Sequence, residues 1–150
     1  MPEDHNQLRE IAALLASQKL CVLATADEGV PYTSIVAFAE TADLHRLLFV
    51  TTRQTRKFRN ISGNSNVALL IDNRTNTEED LHNAAAVTAA GTVQEIDKDA
   101  QPECSSVFLD KHPYLQDFLA APSTALVALD VRSYIWVDHF QHVVQYDLPA

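Results

Sequence analysis

Six apolar runs, each ended by turn-forming residues, constrain the fold of this chain more than anything else in it. They read "LCVLATAD", "YTSIVAFAE", "LLFVTT", "VALLID", "AAAVTAAGTVQEI" and "TALVALDVRSYIWVDHFQHVVQYD". β-Branched and aromatic residues at this density, with turn signals such as "EGVP" and "TADLHR" between them, are strand signatures. "VALLID" is nearly continuous in apolar residues, as expected of a strand covered on both faces. Gly91 inside the longest central run marks a bulge or a point of close backbone approach. Leu8, Ile11, Ala12 and Leu15 recur at helical spacing, which predicts an amphipathic helix over residues 4–18. "TRKFRNI" reads as a short helix ended near Gly63 by "SGNSN". Residues 97–120 look helical, with interruptions at Pro102 and Pro113, and "NRTNTEEDLHN" is a polar connector. No repeat or low-complexity tract divides the chain. The expectation is one domain over residues 1–150, mainly β: a barrel of about six or seven antiparallel strands with peripheral helices.

Charge is distributed against the grain of the composition. The formal net charge is −9, yet four of the chain's 11 Lys and Arg residues lie within seven positions: Arg53, Arg56, Lys57 and Arg59. If Thr55 or a neighbour caps the short helix, its first turn carries cations at the end the macrodipole already makes positive. That placement is unfavourable unless an anion sits there. A helix N-terminus with free backbone N–H groups, hydroxyls (Thr51, Thr52, Thr55) and cations is a good phosphate site. Phe58 and Ile61 would face the core and leave the basic side chains free. A solvated basic helix balancing acidic neighbours is the plain alternative.

The same acidic balance argues against a nucleic-acid or anionic-membrane binder, which needs a broad basic surface. No apolar run approaches the length of a membrane span, and "MPEDHNQLRE" lacks signal-peptide character, so a cytoplasmic location is expected. Only Gly29, Gly63 and Gly91 are glycines, too few for a Gly-rich phosphate loop. Cys21 and Cys104 suggest neither a disulfide framework nor a metal knuckle and are expected to be reduced, mostly buried thiols.

Two stretches then carry a family resemblance that spans roughly residues 7–147. "ATADEGVPYTSIVAF" and, more specifically, "LLFVTTRQTRKFRNISGNSNVALLI" resemble the pyridoxamine 5′-phosphate oxidase-like superfamily of FMN-binding split β-barrels. The resemblance implies an FMN site in which Thr55, Arg56 and Lys57 grip the flavin phosphate. It places Thr51, at the strand end, near the ribityl or ring region, with Thr52 beside it as a further cofactor-binding residue. Ser34, Ile35 and Val36 would line the ring through backbone groups, with Ser34 able to hydrogen-bond to it. The family's Arg and Lys in the first stretch are replaced here by Ser34 and Ala39. Its C-terminal Arg-Leu-His-Asp-Arg signature is also absent, with Arg132 the only Arg in that region. Oxidation of pyridoxamine phosphate is therefore not expected. The resemblance instead implies an FMN-dependent oxidoreductase acting on a small organic substrate, as a homodimer with flavin at the subunit interface. No nicotinamide motif is visible for an electron donor. A non-catalytic flavin carrier or sensor, use of F420 and haem handling remain alternatives.

The C-terminal aromatic and histidine cluster comprises Tyr134, Trp136, His139, Phe140 and His142. Trp136 and Phe140 could pack on a flavin, on a partner subunit or in the sheet core. His139 and His142 fit no obvious metal site but are the residues to test as haem ligands. His5, His45, His82 and His112 are expected at the surface. Ser105 and Ser106 lack a nucleophile-elbow context, and Glu78, Glu79 and Asp80 are expected to be solvated.

Overall fold

The computed structural model describes residues 2–149. In chain order the elements are α1 (Pro2–Ser17), β1 (Leu20–Asp27), β2 (Val30–Glu40), β3 (Arg46–Thr52), α2 (Arg56–Gly63), β4 (Asn66–Asp72), α3 (Asp80–Asn83), β5 (Ala85–Ile96) and α4 (Pro102–Lys111). A 3-10 turn (Pro113–Leu115), α5 (Gln116–Ala120), β6 (Thr124–Asp138) and β7 (His142–Asp147) follow. The strands run in the order β3-β2-β1-β4-β5-β6-β7, and β3 also pairs with β6. That pairing closes six antiparallel strands into a barrel and leaves β7 as an extra strand outside it. No described helix is long and apolar enough to cross a membrane.

Alternation decides what each strand buries. In β4, Val67, Leu69 and Ile71 point into the barrel while Ala68 and Leu70 are only half-buried. The expectation that "VALLID" is covered on both faces therefore fails within one chain: its outward face has no covering layer among the described residues. Two apolar clusters result. The larger fills the barrel with Leu23, Phe38, Phe49, Leu69, Val87, Val127 and Tyr134, and packs α1 through Ile11 and Leu15. The smaller lies outside the barrel wall, where α4 and α5 place Cys104, Phe108 and Leu119 on Ala39, Leu48, Val50, Leu126 and Ala128.

Several turn expectations need correcting. The β1–β2 connection is only Glu28 and Gly29, both at positive φ (48° and 82°), the mirror-type turn that suits a tight hairpin. β2 therefore starts at Val30 and contains Pro31, tolerated because the strand's other edge is unpaired there. Pro102 does not interrupt a helix but begins α4, where a missing N–H costs nothing. Gly91 does mark a bulge: the β5–β6 register shifts between Ala90 and Gly91. A Cβ there would lie 2.0 Å from the Asp130 carbonyl oxygen.

The feature that positions the site is a fork. β2 pairs with β1 from Val30 to Ala37. Its ladder with β3 covers only Phe38, Ala39 and Glu40, opposite Phe49, Leu48 and Leu47. Before Phe38 the two strands part, while β3 remains paired with β6 through Thr51 and Thr52. The opening between β2 and β3 faces the N-terminus of α2.

Candidate functional site

A cavity of about 290 Å³ occupies the fork. Ile35, Val36 and Ala37 of β2 form one side; Val50, Thr51 and Thr52 of β3 form the other. Thr55 and Lys57 from the start of α2, and Leu115 and Phe118 from the segment after α4, complete the lining.

Local chemistry explains the Thr55 end. Thr55 has extended backbone (φ −98°, ψ 157°) and caps α2, its Oγ1 accepting from the Phe58 N–H at 3.3 Å. Thr55 Oγ1 donates to the Thr52 carbonyl at 3.0 Å and lies 3.0 Å from Thr51 Oγ1. The first intrahelical bond runs from the Arg59 N–H to the Thr55 carbonyl at 3.1 Å. The N–H groups of Arg56 and Lys57 are thus helix-start donors without an intrahelical acceptor. No acidic residue occupies the first turn. Ile61 is buried and Phe58 packs beside it against the core. Asn60, 5% exposed, donates to Thr25 Oγ1 at 3.0 Å and ties α2 to β1.

The four clustered cations divide into different roles. Lys57 lines the cavity. Arg56 stacks over the Tyr32 ring, 4.4 Å from its centroid, at the exposed rim. Arg53 turns away: it pairs with Glu95 at 3.0 Å and donates to the Pro122 carbonyl. Arg59 is exposed.

Other residues singled out from sequence are placed as follows. Ser34 precedes the lining segment, and its Oγ is buried without a hydrogen-bond partner. Thr124, the cross-strand neighbour of Thr52, likewise has a buried, unpartnered hydroxyl. Trp136 lies in the barrel core, 5% exposed, and does not line the cavity. Phe140 is 65% exposed at the β6–β7 hairpin tip, where it and His139 both have positive φ. His142 Nδ1 bonds Asp138 at 2.5 Å. Cys21 and Cys104 are buried and free, and burial pushes the Cys21 thiol up to about 12. Among the described residues no His, Cys, Asp and Glu group is arranged to hold a metal ion.

His112 corrects its surface assignment. It is fully buried at the end of α4, with Nε2 2.6 Å from the Phe38 carbonyl and Nδ1 2.9 Å from the Tyr114 hydroxyl. Both ring nitrogens are satisfied, which is what permits burial. Sequence reasoning also missed Leu115 and Phe118, whose approach to the fork is a tertiary event with no local signal.

The donor set suits a phosphate joined to a flat apolar group. Helix-start N–H groups, three threonines and one lysine supply the polar part of the lining; aliphatic and aromatic side chains form the rest.

Comparison with known proteins agrees with this architecture. A haem-binding protein from Mycobacterium smegmatis superposes with a TM-score of 0.79 at 19% identity, covering 89% of this chain and 55% of that one. This chain therefore spans little more than half of that protein. General stress protein 26 from Bacillus anthracis str. Sterne gives 0.72 at 17% identity, covering 93% and 97%. An FAD-binding protein from Mesorhizobium loti gives 0.71 at 15%, covering 86% and 90%. Identities this low establish a shared fold and no more. No curated protein matches the chain. The family described as pyridoxamine 5′-phosphate oxidase matches residues 8–134, the span that holds the fork, the capped helix and all of the barrel but the end of β6; the chain belongs to that family.

Proposed function

We propose that the chain binds FMN in the fork cavity and serves as a flavin oxidoreductase for a small organic substrate. The observation that carries this reading is the meeting of Thr51, Thr55, Lys57 and the α2 N-terminus in one cavity with β2 residues 35–37, which pair with β1 but not with β3. Lys57 and the free N–H groups of α2 hold the phosphate, with Thr55 fixing the helix start that presents them. Arg56, stacked on Tyr32, supplies long-range charge at the rim. The β3-facing backbone edge of residues 35–37 supplies hydrogen bonds along the ring, and the apolar walls exclude water. A bound flavin contributes a ring that takes up and releases electrons.

The partner is a second copy of the chain. Adjacent strands align Ile35, Val22, Leu70, Thr88 and Ile135 in one outward row. Ile35 is 69% and Leu20 57% exposed. Neither family membership nor fold identifies the substrate, and replacement of the family's Arg and Lys by Ser34 and Ala39 argues against a phosphorylated vitamin.

The test is the released chromophore together with a double variant. Purified protein should show a flavin spectrum and release FMN on denaturation. Arg56→Ala with Lys57→Ala should weaken FMN binding by about 2–4 kcal/mol, most of it from Lys57, since charge-assisted bonds are the strong ones. Unchanged FMN affinity in the double variant would reject the assignment. A haem reading draws on the haem-binding neighbour. It would require His139 or His142, neither of which lines the cavity. Soret absorption on adding haem that disappears with His139→Ala and His142→Ala would favour it.

A further inference from the structure

The cavity has a wall that neither the chain's motifs nor the comparisons assign. We propose that the strap of residues 113–121 closes the fork, and that Leu115 and Phe118 on it hold the uncharged ring of a ligand whose phosphate lies at Thr55 and Lys57. The proposal rests on the flavin reading above.

Two tethers fix this strap, one buried and one part-buried. At its start His112 binds the carbonyl of Phe38, the residue at which the β2–β3 ladder ends, and the Tyr114 hydroxyl. At its end Lys98 Nζ donates to the carbonyls of Leu119 (2.7 Å), Ala121 (3.3 Å) and Thr124 (2.9 Å). Thr124 is paired with Thr52, itself a cavity residue. The strap thus runs from the fork's origin to the strand beside its mouth. Leu119 is buried in the outer cluster and anchors the middle of the strap. Leu115 and Phe118 are left facing the cavity, and Phe118 keeps 39% of its surface exposed. An aromatic side chain held against a cavity with its surface uncovered offers contact area to a ligand.

The cavity lining carries little charge. Among the described residues Lys57, two positions after Thr55, is the only ionisable one in the lining. The strap adds no charge to the lining. A charged group at the strap side would be desolvated with no partner, whereas a neutral ring would exchange water for carbon contacts. His112 and Lys98 act as positioning residues: they touch no ligand but determine where Leu115 and Phe118 sit.

The test compares three probes that share one ring: lumiflavin without a side chain, riboflavin with the ribityl chain, and FMN with the phosphate. Affinities come from quenching of flavin fluorescence. Phe118→Ala and Leu115→Ala should each weaken all three by the same factor, roughly tenfold. Lys57→Ala should weaken FMN alone. His112→Ala should behave like the wall variants, while His112→Gln, whose amide nitrogen can replace Nε2 at the Phe38 carbonyl, should recover most of the affinity. Leu81→Ala, exposed on α3, serves as control. Lumiflavin affinity within twofold of wild type in both wall variants, with FMN still bound, overturns the wall and leaves the flavin reading standing. Wild-type protein that binds none of the three overturns both.

Discussion

Burial of His112 makes folding stability depend on its protonation. Desolvation lowers its pKa below the ordinary 6.5, and the nearby Lys111 and Lys19 add to that, while the Phe38 carbonyl and Glu40 oppose it. The folded state therefore binds fewer protons than the unfolded state at pH values just under 6.5. Stability from this site is complete above the unfolded pKa and falls as pH drops through the window below it. Denaturant midpoints measured between pH 7.5 and pH 5 should fall for the wild type and fall less for His112→Gln. Equal slopes for the two proteins would remove His112 as the cause. The same residue shows why single-residue reading has a boundary. The Thr55 cap and the cations that open α2 were legible as a helix start because cap, helix and cations are contiguous in the chain. Burial of His112 depends on a carbonyl 74 positions away. Arg53 looked equivalent to its neighbours, yet Glu95, 42 positions further on, takes it out of the site.

At the scale of elements, the strands were legible because alternation and turn residues act locally. Helix α4 and the strap were legible only as a helical region broken at prolines. The bulge at Gly91 joins both levels: the residue type signalled it, and the Asp130 backbone explains it. Gly91→Ala puts a methyl 2.0 Å from a carbonyl that belongs to the β5–β6 ladder, so backbone rather than a flexible side chain must move. We expect Gly91→Ala to destabilise the fold by about 2–4 kcal/mol, seen as a lower denaturant midpoint. A loss under about 0.5 kcal/mol would show that the ladder yields easily there. Position of the strap over the fork was not legible. Nothing in the periodicity of residues 113–121 refers to a gap between β2 and β3.

For the whole molecule, the barrel's two outer faces differ in what covers them. Helices α4 and α5 shield β3 and the first half of β6. The outer face of β1, β4 and β5 carries Val22, Leu70, Ala68, Ala86 and Ala90 with no covering element among the described residues. A second copy placed there would also cover strand faces that a closed barrel otherwise exposes to water. Val22→Glu with Leu70→Glu puts like charges on both copies of such a face. Dimer dissociation should become at least ~100-fold easier, about 3 kcal/mol, with the mass in light scattering falling from two chains to one. A wild type that is already monomeric at micromolar concentration would reject the interface. Family membership was legible from two stretches of sequence, whereas the half-buried outward face of β4 was misread as covered because an apolar run does not show which elements of the fold lie over it.

The fork also has a thermodynamic side. Along residues 30–37 one edge of β2 lacks its ladder with β3, so the barrel wall is short of rungs at that point. A molecule that bonds to this edge and to both walls supplies some of them. It binds the folded chain and not the unfolded one, so each tenfold of free ligand above its dissociation constant adds about 1.4 kcal/mol to folding. The midpoint of thermal unfolding then becomes a titration curve for the cavity. A melting temperature independent of added FMN would mean that the missing rungs are left unfilled.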